Sequence, residues 1–405
     1  IRPGLCARYP AGNSKPVGAI QRHAGRMKFS VFGYLPDDDP ARYGGVLRAP
    51  MKHVGPRKID TAFDMVDNPQ AEWHATTGVF KADTAEGPGV VNAINRFGRN
   101  GVRQGAYSVF DPAGELYYES LRYLQGKAPT PQAVAGSDSP RSHGDPIAVS
   151  CQRNDVLVIG DADTHYDRSL PGMSRGNSIG DFDRSFNIAA HEPDTAHWTG
   201  LVGAFENKEA LAYAHPSGKA GLTTRGNEGP RAFNYKGGVS LTSADIASAE
   251  TGADQGSFGM AGLAYWARTQ KIRSDHPGLR VQTFAIDMGQ GGASAIGQRQ
   301  RGSVFYLAAK YGGFADSNDD GNPFLASGGG SEWAEGLDGD GQPKPANYFL
   351  AGEPAQMTEA VRRIFLRAVA PAGGTTAGSA LSSNTIPPGG ARLERADRLH
   401  GGLRV

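Results

Sequence analysis

Three short stretches of the chain are dense in apolar, β-branched or aromatic side chains: RMKFSVFGYL at 26–35, DVLVIGD at 155–161 and LRVQTFAID at 279–287. They predict strands, and the unbroken apolar run of the middle one predicts burial on both of its faces. Between and after them the recurrence changes to three- and four-residue steps. In GELYYESLRYLQG, Leu116, Tyr117, Leu121 and Leu124 share one face and Gly126 is placed as a stop. FGMAGLAYWARTQKIRSDHPG carries Leu263, Trp266 and Ile272 before Pro277 and Gly278 end it. SVFYLAAKYGG and MTEAVRRIFLRAV follow, the second with a stripe of Met357, Val361, Ile364, Phe365 and Ala368. Strands separated by long helical connections predict an α/β fold, a doubly wound and mostly parallel sheet with helices on both faces. The interval 164–278 is too long for one crossover and rich in Gly, Ser and Asp, so it is expected to be a large, loop-rich insertion in a domain spanning 1–370. From Pro371 the composition changes to PAGGTTAGSALSSNTIPPGG, which makes 371–405 a Gly/Ser/Pro-rich linker toward something absent.

Composition narrows the function classes. The 42 Lys and Arg against 41 Asp and Glu give a formal charge of +1, and the charges are scattered. Neither nucleic acid nor an anionic membrane is therefore the expected main partner. The 57 glycines and 26 prolines show no collagen period and indicate a loop-heavy globular protein. No apolar run reaches the ~18 residues that a bilayer-spanning helix needs. Ile1 in place of Met is read as the mark of a missing upstream piece. Cys6 and Cys151 would suit a disulfide in an exported protein, but two cysteines alone leave both their separation and their redox state open.

The densest candidate chemistry is FADSNDDGNPFL at 314–325. Calcium takes six to eight oxygens, and a D-x-[DN]-x-[DN]-G loop supplies them from alternate side chains around a sharp glycine turn. Asp316, Asn318 and Asp320 fill the first three positions, Gly321 the turn, and the carbonyl of Asn322 the next place. The finish departs from the pattern: Ser327 stands where an EF-hand has its bidentate Glu, so a closing carboxylate must come from Glu332, Glu335, Asp338 or Asp340. LDGDGQP at 337–343 is a shorter echo, with Asp338, Asp340 and Gly341. The alternative for both segments is an acidic turn solvated by water, since Asp, Asn and Gly are ordinary turn residues.

Asp161 and Asp163 stand at the carboxyl end of the buried strand, where open parallel sheets place their ligands. A divalent ion at Asp161, with His165 as a remoter ligand, competes with a carboxylate that caps the following turn. Two G-x-S-x-G matches, at Ser174 and Ser178, follow HYDRSLP rather than a strand, which a nucleophile elbow requires. His191 and His197 are six apart, and no HExxH, CxxC or G-x-x-x-x-G-K-[ST] occurs, so zinc and nucleotide sites lack support.

Six segments, in order, carry a resemblance: KFSVFGYL…RYGGVLRAPMKHVGP, VNAINRFGRNG, FDPAGELYYESLRYLQG, DPIAVSCQRNDVLVIGDADTH, AAKYGGFADSNDDGNP and ANYFLAGEP. Over residues 26–354 the chain resembles the N-terminal region of the type IV pilus tip-associated adhesins and assembly proteins, the PilC/PilY family. The resemblance implies a von Willebrand factor A-like domain, exported to the cell surface and placed at the pilus tip. It implies roles in pilus assembly, attachment to host or abiotic surfaces and twitching motility, with minor pilins as partners. It also implies a following β-propeller with its own calcium loop, which this sequence does not include. A-type domains often hold a divalent ion with D-x-S-x-S after the first strand and an Asp after the fourth. Asp161 matches the latter, and D-x-S-x-S occurs nowhere in the sequence. The expected protein is a non-enzymatic adhesin and assembly module with calcium in the Asp316 loop. Its rivals are a secreted calcium-dependent serine hydrolase, using Ser174 or Ser178 with His165 or His191, and a structural spacer without ligand binding.

Overall fold

Turn residues divide the first third of the chain into short antiparallel pairs. The computed structural model describes residues 5–34, 43–62, 64–83, 89–96, 111–137, 139–150, 152–160, 164, 170–171, 192–207, 257–288, 303–324, 331–338, 341 and 343–369. Strand β1 (Cys6–Arg8) pairs with β2 (Ser14–Pro16), and after helix α1 (Ala19–His23) strand β3 (Phe29–Gly33) pairs with β4 (Val46–Lys52). Strand β5 (Arg57–Ile59) then pairs with β6 (Met65–Asp67). Helix α2 (Val90–Arg96) begins on the carboxylate of Glu72, whose oxygens accept from Val90 N at 2.6 Å and Val91 N at 2.8 Å. This buried acid satisfies helix-end donors that otherwise have no partner, and Lys52 Nζ lies 3.2 Å from it.

The second part is the layered α/β body. Helices α3 (Ala113–Leu124) and α4 (Pro131–Val134) lead to strand β7 (Asn154–Gly160), followed by α5 (Thr195–Asn207) and α6 (Gly259–Thr269). Strand β8 (Val281–Asp287), helix α7 (Val304–Gly313), the antiparallel pair β9 (Ala334–Leu337) and β10 (Pro343–Pro345), strand β11 (Tyr348–Leu350) and helix α8 (Pro354–Val369) complete it. The sheet order is β11-β8-β7 and both pairings are parallel. Alternation along β8 splits its side chains between two cores. Val281 and Ala285 pack with α3, α5, α6 and α7, while Phe284 and Ile286 pack with Ala360, Ile364 and Phe365 of α8. Burial on both faces is why β8 is apolar at consecutive positions. Buried polar atoms at this central strand are paired: Thr283 Oγ1 meets Tyr117 Oη at 2.7 Å, and Asn347 Nδ2 donates to the Thr283 carbonyl at 3.0 Å.

The expected parallel sheet with helices on both faces is present, but one predicted member is not in it. The stretch 26–35 does form a strand, β3, yet it pairs antiparallel with β4 in a separate two-stranded sheet. Its side chains are only partly buried, against α1 and α2 and the α8 side of the sheet. A half-buried hairpin strand and a central strand share the same short apolar signature, and the separating feature is the partner strand. Within the interval expected to be an insertion, α5 and α6 contribute Trp198, Val202, Phe205, Met260, Leu263 and Trp266 to the main core. The linker 371–405 lies outside the described residues. No described helix is long and apolar enough to cross a membrane.

Candidate metal centre

Helix α7 ends at Gly313, and the buried ring of Phe314 fixes the point where the chain leaves it. The loop that follows is closed at its base by two backbone bonds to one residue: Ala315 N donates to the Glu332 carbonyl at 3.1 Å, and Glu332 N donates to the Pro323 carbonyl at 2.9 Å. Inside the loop, Asp319 at φ 56° and Gly321 at φ 71° take left-handed conformations, which glycine adopts freely and aspartate tolerates. The resulting turn folds the chain back onto Asp316. Its Oδ1 accepts from Asp320 N and its Oδ2 from Gly321 N, both at 3.0 Å. Asp320 Oδ1 in turn accepts from Asn322 N at 2.7 Å. Tyr265 of α6 donates its hydroxyl to the Gly321 carbonyl at 2.9 Å, which ties the turn to the core.

Asp316, Asp320 and Glu332 each offer one carboxylate oxygen, and these oxygens lie within 4.8 Å of one another. Glu332 is buried; its Oε1 accepts from Ser317 N at 2.6 Å and from Ser317 Oγ. Burial, more than repulsion from Asp316 and Asp320, pushes the Glu332 carboxyl above the usual range. Among the described residues no cation is within 4.0 Å of any of the three carboxylates. Arg268 and Arg280 approach more distantly. Burial lowers the pKa of each; Asp316 and Glu332 oppose this at Arg268, and Asp319 and Asp316 at Arg280. Arg268 is committed elsewhere, with Nε donating to the Phe314 carbonyl at 2.9 Å and its guanidinium over the Phe314 ring. The cluster is thus able to hold a metal ion through an all-oxygen donor set, the chemistry of hard cations.

The structure sorts the expected ligands. Asp316 and Asp320 come together, and of the four acids offered as the closing group Glu332 joins them. Asn318 is exposed; its Oδ1 accepts from Asp320 N at 3.2 Å and its Nδ2 donates to Asp320 Oδ2 at 3.1 Å. Asn322 is buried, and its Oδ1 accepts from Phe324 N at 3.0 Å. Glu335 is exposed and pairs with Arg367. Asp338 does not join the cluster; its carbonyl accepts from Gly341 N at 3.1 Å in a tight turn. Asp340, Asp161, Asp163, Ser174, Ser178, His165 and His191 lie outside the described residues. So does Cys151, the candidate disulfide partner of Cys6, which is half-buried and a free cysteine.

A second acidic group, Asp145, Asp275 and His276, was not anticipated from sequence. Arg273 fills it, donating to Asp145 Oδ1 and Oδ2 at 2.8 Å each and to Asp275 Oδ2 at 2.6 Å. These bonds hold the Asp275 carboxyl down at about 2 and that of Asp145 below its ordinary value. One guanidinium bonded to both carboxylates already occupies this group, so it is a structural ion-pair cluster.

The model for the family described as PilY1 homolog, second domain, matches residues 39–267. A type IV pilus biogenesis factor, PilY1 homolog, of Xylella fastidiosa (strain Temecula1 / ATCC 700964) is 31% identical over 434 aligned residues. That alignment covers 96% of this chain and 32% of the relative, so the chain spans about a third of that protein's length. No solved structure matches. With the family model matching more than half of the chain and the similarity to a relative running through nearly all of it, the chain belongs to the PilY1-homolog family.

Proposed function

We propose that this chain is the pilus-tip module of a type IV pilus biogenesis factor, a von Willebrand factor A-like domain that serves in pilus assembly and in attachment to host or abiotic surfaces. The observation that carries the reading is the 31% identity, across 96% of the chain, to a protein named as a type IV pilus biogenesis factor. The parallel sheet with helices against both faces supports the A-type architecture. The role is non-enzymatic: the domain works through its surfaces, outside the cell at the pilus tip, with minor pilins as neighbours and twitching motility as the output. Calcium binds at Asp316, Asn318, Asp320 and the Asn322 carbonyl, because a cation removes the repulsion that otherwise opens a carboxylate cluster.

Binding of the purified chain to immobilised minor pilins and to host cells tests this reading. The expected result is saturable binding to minor pilins in calcium and its loss in EDTA. Binding to neither would sink the adhesin and assembly roles and leave a spacer.

A further inference from the structure

We propose that Glu332 is the closing ligand of a calcium-class cation site whose other carboxylates are Asp316 and Asp320, so that the bound ion staples the loop after α7 to the segment entering β9. The inference rests on the calcium reading above and adds to it a ligand that lies beyond the loop's own pattern.

The first support is the Glu332 carboxylate itself. Glu332 is 9% exposed, and its Oε2 is buried with no hydrogen-bond partner among the described residues, while Oε1 is taken by Ser317. A buried carboxylate oxygen left without a partner is costly, and native structures seldom leave one so unless an ion or water meets it. The second support is placement. Both backbone bonds at the base of the loop, Ala315 N to Glu332 O and Glu332 N to Pro323 O, hold this residue opposite Asp316. The approach of the three carboxylates is therefore set by main chain. The third is elimination among the described acids: Ser327 occupies the place of the usual bidentate acid in the sequence, Glu335 is committed to Arg367, and Asp338 does not join the cluster.

A metal bridging these groups ties together segments sixteen positions apart, from Asp316 to Glu332. Trp333, the next residue, lies with its ring 4.1 Å from Lys310 Nζ, and Phe324 at the far end of the loop lies 5.1 Å from the same atom. Closing the staple thus fixes both ends of the loop over one lysine of α7. Oxygen-only donors with three carboxylates fit calcium and its lanthanide mimics rather than zinc or copper.

The test uses the metal-stripped 405-residue chain. Terbium is the optical probe, excited through tryptophan and displaced by calcium; calcium affinity is measured in parallel by calorimetry. The wild type is expected to show sensitised emission that calcium abolishes. Trp333→Phe should lose most of that emission while keeping calcium affinity, which places the ion beside residue 333. Glu332→Gln keeps the shape and the acceptor for Ser317 but not the charge, and should weaken calcium binding by about 100-fold or more, since even loss of an outer-shell partner costs roughly 10- to 100-fold. Glu335→Gln should bind as the wild type does, and Glu332→Gln should melt like the wild type when both are in EDTA. Wild-type calcium affinity in Glu332→Gln would overturn the staple and leave the calcium loop standing. Absence of calcium binding by the wild type would overturn both.

Discussion

Glu119→Gln is expected to remove about 3 kcal/mol of pH-dependent stability between pH ~4.5 and ~7. Glu119 sits on α3 with its carboxylate buried, accepting from Thr130 Oγ1 at 2.6 Å and Thr130 N at 3.2 Å. Desolvation pushes its pKa from 4.5 up to about 7; the bonds from Thr130 and the charge of Arg122 pull the other way without prevailing. The folded state therefore binds a proton that the unfolded state has already released. The stabilisation is fully present below the unfolded pKa of about 4.5 and is lost as pH rises through about 7. Asp155, raised by burial from 3.8 to about 6, acts in the same direction over a lower window. His23, His53 and His143, whose pKa values burial lowers, act oppositely. The measurement is accordingly the wild-type minus variant difference in urea-unfolding free energy across pH 4–8. A difference that does not change with pH would show that Glu119 titrates alike in both states.

Gly262→Leu is expected to prevent stable folding of the α/β body or to cost about 3 kcal/mol or more, the upper range for overpacking a tight core. A Cβ at Gly262 falls 2.2 Å from Thr199 Oγ1, 2.5 Å from Thr199 N and 2.9 Å from Thr199 Cα. Two of those atoms are main chain of α5, so no rotamer change relieves the contact and the helices must separate. Separation uncovers Trp198, Val202 and Tyr265, which stack into the same core, and Tyr265 is also the residue that holds the Gly321 carbonyl. The damage should therefore reach the cation loop as well. Gly278→Ala, where nothing lies within 4 Å, is the matched control and should stay within about 0.5 kcal/mol of wild type. Thermal and denaturant melts of both variants check the contrast; a Gly262→Leu protein as stable as the control would contradict the α5–α6 packing.

The helices that carry the core were legible because their apolar positions recur with helical spacing: Leu116, Tyr117, Leu121 and Leu124 fall on α3, and Val361, Ile364 and Phe365 on α8. Strands β7 and β8 were legible from uninterrupted apolar runs, but the burial expected on both faces holds for β8 and not for β7, which is mostly half-buried with Ile159 51% exposed at the end of the described sheet. Helix α5 was not read, since its sequence TAHWTGLVGAFEN mixes small, aromatic and polar residues and presents no clear stripe until Trp198, Val202 and Phe205 are seen against α6 and α7. Strand β11 is three residues long, too short for any period, and owes its place to pairing with β8. At the candidate metal centre the alternate spacing of Asp316, Asn318 and Asp320 was local and readable. Glu332 was one of four acids that sequence could not rank, because the backbone bonds to Ala315 and Pro323 that select it are tertiary information. Arg273 and Asp145 are 128 positions apart, and nothing near either residue foretells their pairing.

The claim that this region works in building type IV pili is tested most directly by counting surface pili. A strain lacking the gene would carry either the full-length gene or a version without the codons for residues 26–354, with the truncated product verified by immunoblot. The account predicts that the full-length gene restores pili and twitching and that the truncated one restores neither. Normal pilus numbers with the truncated gene would contradict it.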